Sequence, residues 1–163
     1  MKNTTLLFLV KKNAAGDITH LCLAMKKRGF GEGRWNGVGG KVAENESVEG
    51  AARRETREEI GVEVSDLTKV AELAFTFPHN ISWNQLTHVF TAEQWKGEPT
   101  ESEEMKPQWY SVDSLPFDNM WPDDPFWLPK IIERKLIRGA FSFAEESAGN
   151  AILEKKVEEV AAF

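Results

Sequence analysis

The sequence predicts an α/β fold in which helices cover both faces of a mixed β-sheet, an α/β/α sandwich. Apolar runs of strand length alternate along the chain with two segments of helical character. The sequence contains neither a periodic repeat nor a low-complexity linker, which favours one continuous sheet. Since 163 residues suit one domain with a sizeable core, we expect a single domain that spans residues 1–163.

Five short apolar segments predict the strands of this sheet. They are residues 4–10, 19–25, 70–77, 86–92 and 108–112. The first two flank a turn that contains Ala15, Gly16 and Asp17, so they predict a hairpin. A glycine-rich segment, residues 29–40, follows the hairpin and leads into the first predicted helix.

Two helices are predicted to pack on the sheet. The first, residues 47–60, has Ser47 or Asn45 as its N-cap and ends at Gly61, which can adopt the left-handed conformation. The second, residues 123–138, begins with acidic residues and prolines and continues with apolar residues at helical spacing. These apolar residues are Leu128, Ile131, Ile132 and Leu136.

Three glutamates crowd one face of the first predicted helix. Glu55, Glu58 and Glu59 stand at positions i, i+3 and i+4, so their carboxylates would repel one another unless a cation lay between them. Hard oxygen ligands of this kind suit Mg²⁺ or Mn²⁺, and Mg²⁺ is usually shared with substrate phosphates. Arg54 can pair with one of the carboxylates and fix its rotamer. The cluster therefore predicts a metal site for a phosphate-bearing substrate.

Residues 40–62, GKVAENESVEGAARRETREEIGV, resemble the signature box of the Nudix hydrolases. The match includes two glycines, a glutamate, the Arg-Glu pair and the Glu-Glu pair at the spacing of that box. Thr56 departs from the pattern, because it stands where the box usually carries a large aliphatic residue, and we expect a weaker core contact there. The resemblance implies the Nudix α/β/α sandwich and metal-dependent hydrolysis of a nucleoside diphosphate derivative.

Three further strings resemble one subgroup of that family, the animal-type oxidised purine nucleoside triphosphatases. They are MKKRGFGEGRWNGVGGKV at residues 25–42, ESEEMKPQWY at 101–110 and FDNMWPDDPFW at 117–127. The resemblance implies Mg²⁺-dependent hydrolysis of 8-oxo-dGTP or 2-hydroxy-dATP to the monophosphate and pyrophosphate, which sanitises the nucleotide pool. Residues 149–160 have the composition of an amphipathic helix, whereas the resemblance implies a closing strand there, so both structures remain open.

The resemblance also implies a base-recognition site around Trp121, Asp123 and Asp124. Trp121 offers an aromatic face to a purine, and two adjacent carboxyl groups in an apolar pocket disfavour double ionisation, so one of them would keep a proton. The alternative for the aspartates is to cap the second helix. Asn36 can donate to and accept from a base, although Asn-Gly is also a common turn. The residues expected to contact substrate are Thr5, Lys26, Phe30, Asn36, Gly39, Gly40, Lys41, Phe75, Trp121, Asp123 and Asp124.

The catalytic set follows from the same resemblance. Its members are Arg54, Glu55, Glu58, Glu59 and Glu104. The expected metal ligands are the backbone carbonyl of Gly39 and the side chains of Glu55, Glu58, Glu59 and Glu104. Spacing leaves open whether Glu58, Glu59 or Glu104 activates water, and Glu104 has the alternative of a solvated acidic loop. Phe30 and Phe75 are expected either as pocket walls or as ordinary core residues.

Composition excludes several classes of partner. A net charge of −6 disfavours binding to a nucleic-acid backbone. The lone Cys22 lies in an apolar run, which predicts a buried structural thiol and a reducing, cytoplasmic compartment. The N-terminal apolar run, residues 6–10, is too short for a signal peptide or a membrane span.

The histidines His20, His79 and His88 are dispersed without the spacing of metal ligands. We expect a monomer whose partner is a small-molecule nucleoside triphosphate.

Two other functions compete with this hypothesis. A Nudix hydrolase for a methylated purine triphosphate, an unmodified nucleotide or a nucleotide sugar would share the carboxylate cluster and differ in the base pocket. A non-catalytic nucleotide-binding module would typically lack a box glutamate, and Glu55, Glu58 and Glu59 are all present.

Overall fold

Ten strands, two α-helices and three short 3₁₀ helices form the regular structure of the part of the chain that the computed structural model describes, residues 1–144 and 151–163. The strands are β1 (Lys2–Lys12), β2 (Ile18–Lys26), β3 (Trp35–Asn36), β4 (Glu63–Val64), β5 (Thr68–Thr76), β6 (Gln85–Ala92), β7 (Trp95–Lys96), β8 (Met105–Ser111), β9 (Leu136–Phe143) and β10 (Ile152–Val160). The helices are α1 (Val48–Ile60) and α2 (Asp124–Ile132).

One large mixed sheet contains most of these strands. Its order is β10-β9-β5-β6-β1-β2-β3, with β8 also paired to β2, while β4 and β7 form a separate small pair. The β1–β6 and β5–β9 pairs are parallel and the remaining pairs are antiparallel. Each of the five predicted strands is present, with its ends shifted by a few residues, and β1 and β2 form the predicted hairpin.

The sheet is covered by one helix on each face. Successive residues of a strand point to opposite faces, so Phe8 packs in the cluster that contains Leu128 of α2, whereas Leu7 packs in the cluster that contains Ile60 of α1. β1 is therefore apolar on both faces along its central part. The predicted α/β/α sandwich is confirmed. Among the described residues, no helix is long and apolar enough to cross a membrane.

Helix α1 begins and ends where the sequence predicts. The Ser47 hydroxyl accepts a hydrogen bond from the Gly50 N–H at 2.9 Å, and Gly61 ends the helix with φ of 71°. Thr56, the departure from the Nudix pattern, is fully buried and donates its hydroxyl to the Ala52 carbonyl at 2.8 Å. A buried hydroxyl that bonds back to the preceding turn is satisfied, so the helix accepts threonine here without an orphaned polar group.

The second predicted helix was too long. Helix α2 ends at Ile132, Arg134 adopts a positive φ of 66°, and β9 begins at Leu136. The prediction was wrong at this end because Leu136 also fits the helical spacing. It belongs instead to β9, whose residues alternate between the two faces of the sheet up to Phe143 and pair with β5. A pattern of period two is what a strand with one buried face requires.

The C-terminal segment is a strand in the part that the structure describes. β10 pairs antiparallel with β9 through residues 152–160, so the helical alternative for this part is wrong. Residues 149 and 150 of the predicted segment lie outside the described residues. The exposed edge of β9 offers hydrogen bonds that a local preference for helix does not supply, and tertiary pairing decides the outcome.

Candidate active site

A cavity of about 650 Å³ opens between β1, β6, the 29–40 segment and the start of α2. All eleven residues expected to contact substrate line it, namely Thr5, Lys26, Phe30, Asn36, Gly39, Gly40, Lys41, Phe75, Trp121, Asp123 and Asp124. These residues come from segments that are far apart in sequence. The fold therefore brings the whole predicted substrate-binding set to one place, in a cavity of the size that encloses a small ligand.

Asp123 and Asp124 form a buried carboxyl pair in this cavity, and each is only 2 % exposed. The Asp123 carboxylate accepts a hydrogen bond from the Trp127 indole N–H at 2.8 Å. Asp123 stands at the N-cap position of α2 but makes no side-chain cap hydrogen bond, so the purely capping role is wrong. The Asp124 Oδ2 atom is buried and has no hydrogen-bond partner among the described residues.

Burial controls the protonation of this pair. Desolvation raises the pKa of Asp123 to about 6, although the hydrogen bond from Trp127 opposes this rise. Desolvation raises the pKa of Asp124 well above its usual range, and the neighbouring charge of Asp123 adds to the effect. One proton is therefore retained by the pair near neutral pH, which gives the cavity a hydrogen-bond donor beside an acceptor.

Aromatic rings surround the mouth of the cavity. The Phe30 ring lies 5.1 Å from the Trp121 ring and 5.7 Å from the Trp83 ring, measured between centroids. Phe30 is 53 % exposed, so it is a pocket wall and not an ordinary core residue. Phe75 lines the cavity and also packs against the core, so both of its expected roles apply. Flat apolar walls of this kind suit a purine ring.

Asn36 fulfils both of its expected roles in part. Its side-chain oxygen accepts a hydrogen bond from the Gly37 N–H at 2.9 Å, as in a local turn, while the residue also lines the cavity. The amide NH₂ is therefore the group that Asn36 offers to a ligand.

The carboxylates of α1 are held by Arg54. One guanidinium nitrogen, Nη1, donates to Glu55 at 3.0 Å and to Glu58 at 3.2 Å. The guanidinium also binds both carboxylate oxygens of Glu46, at 2.7 Å and 3.0 Å, and this hydrogen bonding lowers the pKa of Glu46 to about 2. Arg54 thus fixes the rotamers of the cluster, as the sequence predicts, and does so through three carboxylates.

Glu59 lies on the inner side of the same cluster and is only 5 % exposed. Burial raises its pKa to about 8, and the negative charge and hydrogen bond of Glu55 add to this. The Gly39 N–H donates to the Glu59 carboxylate at 3.3 Å. A Cβ atom at Gly39 would overlap the Thr5 carbonyl oxygen, and one at Gly40 would lie 2.6 Å from a Glu55 carboxylate oxygen. The two glycines therefore allow the substrate cavity and the carboxylates to meet.

A second cavity of about 300 Å³ lies against the carboxylates. Its lining is Arg28, Glu55, Glu58, Glu59, Ser102, Glu103 and Glu104. Glu104, distant in sequence from the box, is thus close to the other three predicted glutamates, and Arg28 pairs with it at 3.5 Å. Of its neighbours, Glu101 pairs with Lys27, whereas Glu103 lines the same cavity and pairs with Arg28 at 3.7 Å.

The residues around this second cavity fit a divalent metal ion by their chemistry. Most of the lining groups that could ligate a metal are carboxylates. Burial, and after it the negative charge of Glu55, raises the pKa of Glu59, and a cation would offset both effects by stabilising the charged carboxylate. In this structure Arg54 binds Glu55 and Glu58. Within residues 1–144 and 151–163, no three acidic, histidine or cysteine side chains are already arranged to hold a metal ion.

Several cavity residues were not singled out from the sequence. Arg34 stacks on Trp121 at 4.1 Å, and its positive charge opposes, without reversing, the rise that desolvation causes in the pKa of both aspartates. Trp83 and Trp127 also line the cavity. Trp127 stands four residues after Asp123 on a helix, which was a usable signal for contact. Arg34 and Trp83 had no comparable signal, because their partners are remote in sequence.

The remaining predictions concern groups outside the two cavities. Cys22 is a buried free thiol, and burial raises its pKa to about 11, which confirms a structural role. His88 is buried and bonds to Asn3 and Lys69, whereas His20 is exposed on β2. No histidine in the described residues belongs to a metal-binding cluster.

Comparison with known proteins agrees with this geometry. A curated protein of Mus musculus, the oxidized purine nucleoside triphosphate hydrolase, is 45 % identical over 141 residues, which covers 86 % of this chain and 88 % of that protein. The protein of the same name from Danio rerio is 46 % identical over 140 residues, which covers 85 % of this chain and 86 % of that protein.

The fold has a close counterpart among solved structures. The crystal structure of a mutator MutT protein from Bacillus halodurans superposes with a TM-score of 0.80, and the match covers 97 % of this chain and 98 % of that chain. At 22 % identity, that likeness shows the fold alone. The family model of the NUDIX domain matches residues 6–131, which include both cavities' main elements. The chain therefore belongs to the Nudix hydrolase family.

Proposed function

We propose that this Nudix protein hydrolyses oxidised purine nucleoside triphosphates, such as 8-oxo-dGTP and 2-hydroxy-dATP, to the monophosphate and pyrophosphate. The observation that carries the proposal is the buried Asp123–Asp124 pair inside an aromatic cavity that meets the α1 carboxylates at Gly39 and Gly40. The names and high identity of the mouse and zebrafish relatives support the same substrate class.

The aspartate pair is the part of the site that would read the base. A pair that shares one proton presents a donor and an acceptor side by side, and an oxidised purine differs from the normal base by a polar substituent and its proton. Trp121 and Phe30 would hold the ring, and Asn36 would donate to it. Binding in this way selects the oxidised base because a normal base would leave a buried carboxyl group unpaired.

The phosphates would extend from this cavity toward α1. Lys26 and Lys41 line the path and supply positive charge, and Thr5 stands beside Gly40, whose carbonyl accepts from the Thr5 N–H at 2.8 Å. Because the Gly40 carbonyl already accepts this bond, we propose the Gly39 carbonyl as the metal ligand. The glycines keep the path open for the triphosphate.

Nudix hydrolases use divalent metal ions, and we propose Mg²⁺ here, with Mn²⁺ as a substitute. The proposed ligands are the Gly39 carbonyl and the side chains of Glu55, Glu58, Glu59 and Glu104. Bound Mg²⁺ would neutralise phosphate charge and make a coordinated water more acidic. A carboxylate of Glu58, Glu59 or Glu104, all of which border the 300 Å³ cavity, would accept the proton of the attacking water.

The proposal includes the setting of the enzyme. The whole chain would act as one domain and as a monomer, with removal of oxidised nucleotides from the cytoplasmic pool as its task. The unpaired, buried thiol of Cys22 is consistent with a reducing compartment.

The test compares kcat/KM for 8-oxo-dGTP, 2-hydroxy-dATP and dGTP with Mg²⁺ and identifies the products. We expect at least about a tenfold preference for an oxidised purine, as one well-made polar contact provides, together with release of pyrophosphate. Pyrophosphate release without that preference would reject the oxidised-purine substrate and retain the Nudix chemistry. Turnover of none of the three would direct the search to a methylated purine triphosphate or a nucleotide sugar.

A further inference from the structure

A polar pair of threonines interrupts the wall that β1 and β6 give to the substrate cavity. The two strands run parallel with Thr4 opposite Thr87, and both side chains line the cavity. One step deeper in the same register, Leu6 stands opposite Val89 and packs against the core. The wall therefore changes from apolar to polar at the threonine pair.

Both threonines are buried, and they bond to each other. Thr4 is 7 % exposed and Thr87 is 6 % exposed, and their hydroxyl oxygens are 2.8 Å apart. Two hydroxyl groups carry two hydrogens, and their mutual bond uses one of them. Neither hydroxyl has another side-chain partner among the described residues, so one O–H of the pair is left without an acceptor from the protein.

The direction of the bond is free to reverse, because either oxygen can be the donor. The pair therefore offers the cavity one donor and additional lone pairs, and it can adapt the donor's position to a ligand. A buried donor that lacks a partner lowers stability, so a wall with a purely structural task would be better served by valine.

We infer that the Thr4–Thr87 pair is a hydrogen-bonding subsite for the nucleoside, and that it determines how tightly the substrate is held. The inference rests on the proposed function, since it takes the cavity as the nucleoside-binding site. The ligand group is a carbonyl or hydroxyl oxygen of the nucleoside, either on the base or on the sugar, that accepts the spare O–H hydrogen.

The test uses isosteric replacement. The double variant Thr4→Val/Thr87→Val removes both hydroxyls and with them the spare O–H, Thr87→Ser retains both hydroxyls, and Thr91→Val is the matched control. Thr91 lies on the same strand and is 8 % exposed, but it does not line the cavity. KM and kcat are measured with 8-oxo-dGTP, 8-oxo-GTP and dGTP, and calorimetry gives the Kd of the product 8-oxo-dGMP.

We expect the double valine variant to raise KM and Kd by about three- to tenfold, the effect of one neutral hydrogen bond, with kcat and Tm unchanged or Tm slightly raised. Thr87→Ser should restore most of the affinity, and Thr91→Val should have none of this effect. A loss confined to 8-oxo-GTP would assign the contact to the sugar, and a loss that differs between 8-oxo-dGTP and dGTP would assign it to the base.

Unchanged KM and Kd in the double valine variant would overturn the inference and leave the proposed function intact. A wild-type enzyme that hydrolyses dGTP and 8-oxo-dGTP equally, while the double valine variant still binds more weakly, would reject the oxidised-purine function and retain the subsite. Absence of purine nucleotide binding by the wild-type enzyme would overturn both.

Discussion

The two outer carboxylates of α1, Glu55 and Glu58, and the aspartates at the start of α2 are both crowded acidic groups, but the protein stabilises them in opposite ways. Glu55 and Glu58 share the Arg54 guanidinium at the edge of an open cavity. Asp123 and Asp124 are almost fully buried, and a raised pKa lets them share a proton. Glu55 and Glu58 depend on the positive charge of Arg54, whereas the aspartate pair, like the buried Glu59, is stabilised in its protonated form.

This difference suits two kinds of ligand. Ionised carboxylates at an open surface attract a metal ion and, through it, a phosphate chain. A desolvated pair with one proton is neutral enough to accept an uncharged base and polar enough to distinguish its edge. A nucleoside triphosphate has both parts, and the glycines at 39 and 40 lie where the two regions meet.

Glu59→Gln tests the charged region and should have the largest effect. The amide is isosteric and can keep the hydrogen bond from the Gly39 N–H, so the fold should persist, while kcat should fall on the order of 10³-fold because a carboxylate of the metal and water site is lost. Steady-state kinetics and thermal unfolding check this. Glu49→Gln, an exposed position on the same helix, is the control, and normal turnover by Glu59→Gln would sink the catalytic assignment.

The pH dependence of stability tests the buried region. The pKa of Asp123 is raised from 3.8 to about 6 by desolvation, so the folded state binds more protons than the unfolded state between these values. The contribution of Asp123 to the free energy of unfolding is therefore greatest at and below pH 4, and it is lost as the pH rises through 6. The rise in pKa corresponds to at most about 3 kcal/mol.

Urea unfolding of the wild type and of the double variant Asp123→Asn/Asp124→Asn, at several pH values from 4 to 7, measures this contribution. Subtracting the free energy of unfolding of the double variant from that of the wild type removes the contribution of other titrating groups. This difference should fall as pH rises. The exposed Asp118→Asn is the control and should show no such slope. A flat difference would mean that the pair is ionised in the folded state.

The α1 carboxylates and the base cavity also differ in how far the sequence alone predicts them. The α1 carboxylates are visible from spacing alone, because a helix places i, i+3 and i+4 on one face whatever the rest of the fold. Ser47 and Gly61 mark its ends by local chemistry, and the structure confirms both. A site built on one helix is therefore predictable from residues that are neighbours in sequence.

The remaining features depend on tertiary contacts that no local pattern contains. Thr4 and Thr87 are 83 positions apart, and their bond exists only because β1 pairs with β6. Arg34 reaches Trp121 in the same way, across the cavity. Residues 136–138, the start of β9, were predicted as helix because Leu136 continues the spacing of α2, and their pairing with β5 makes them part of a strand.

Asp124→Asn should reduce discrimination more than it reduces turnover. Asparagine keeps a donor and an acceptor but cannot exchange a proton with Asp123, so we expect kcat/KM for 8-oxo-dGTP and 2-hydroxy-dATP to diverge by about 10- to 30-fold, which is the range of one or two hydrogen bonds. Competition between the two substrates in one reaction measures this ratio directly. Equal changes for both substrates would indicate that the pair does not read the base.

Arg54→Lys should have the smallest effect of the series, and it separates charge from geometry in the α1 cluster. Lysine keeps the positive charge but cannot bind Glu46 through two nitrogens while it bonds Glu55 and Glu58, so kcat/KM should fall by about tenfold. Arg54→Ala should cost more, since it leaves three carboxylates without their shared partner, whereas Arg57→Ala at an exposed position of the same helix should be neutral. If the kcat/KM of Arg54→Lys matched that of the wild type at saturating Mg²⁺, charge alone would hold the cluster. If a Mg²⁺ titration instead showed that the variant needs a higher Mg²⁺ concentration for half-saturation, the fixed rotamers would be what prepares the carboxylates for the metal.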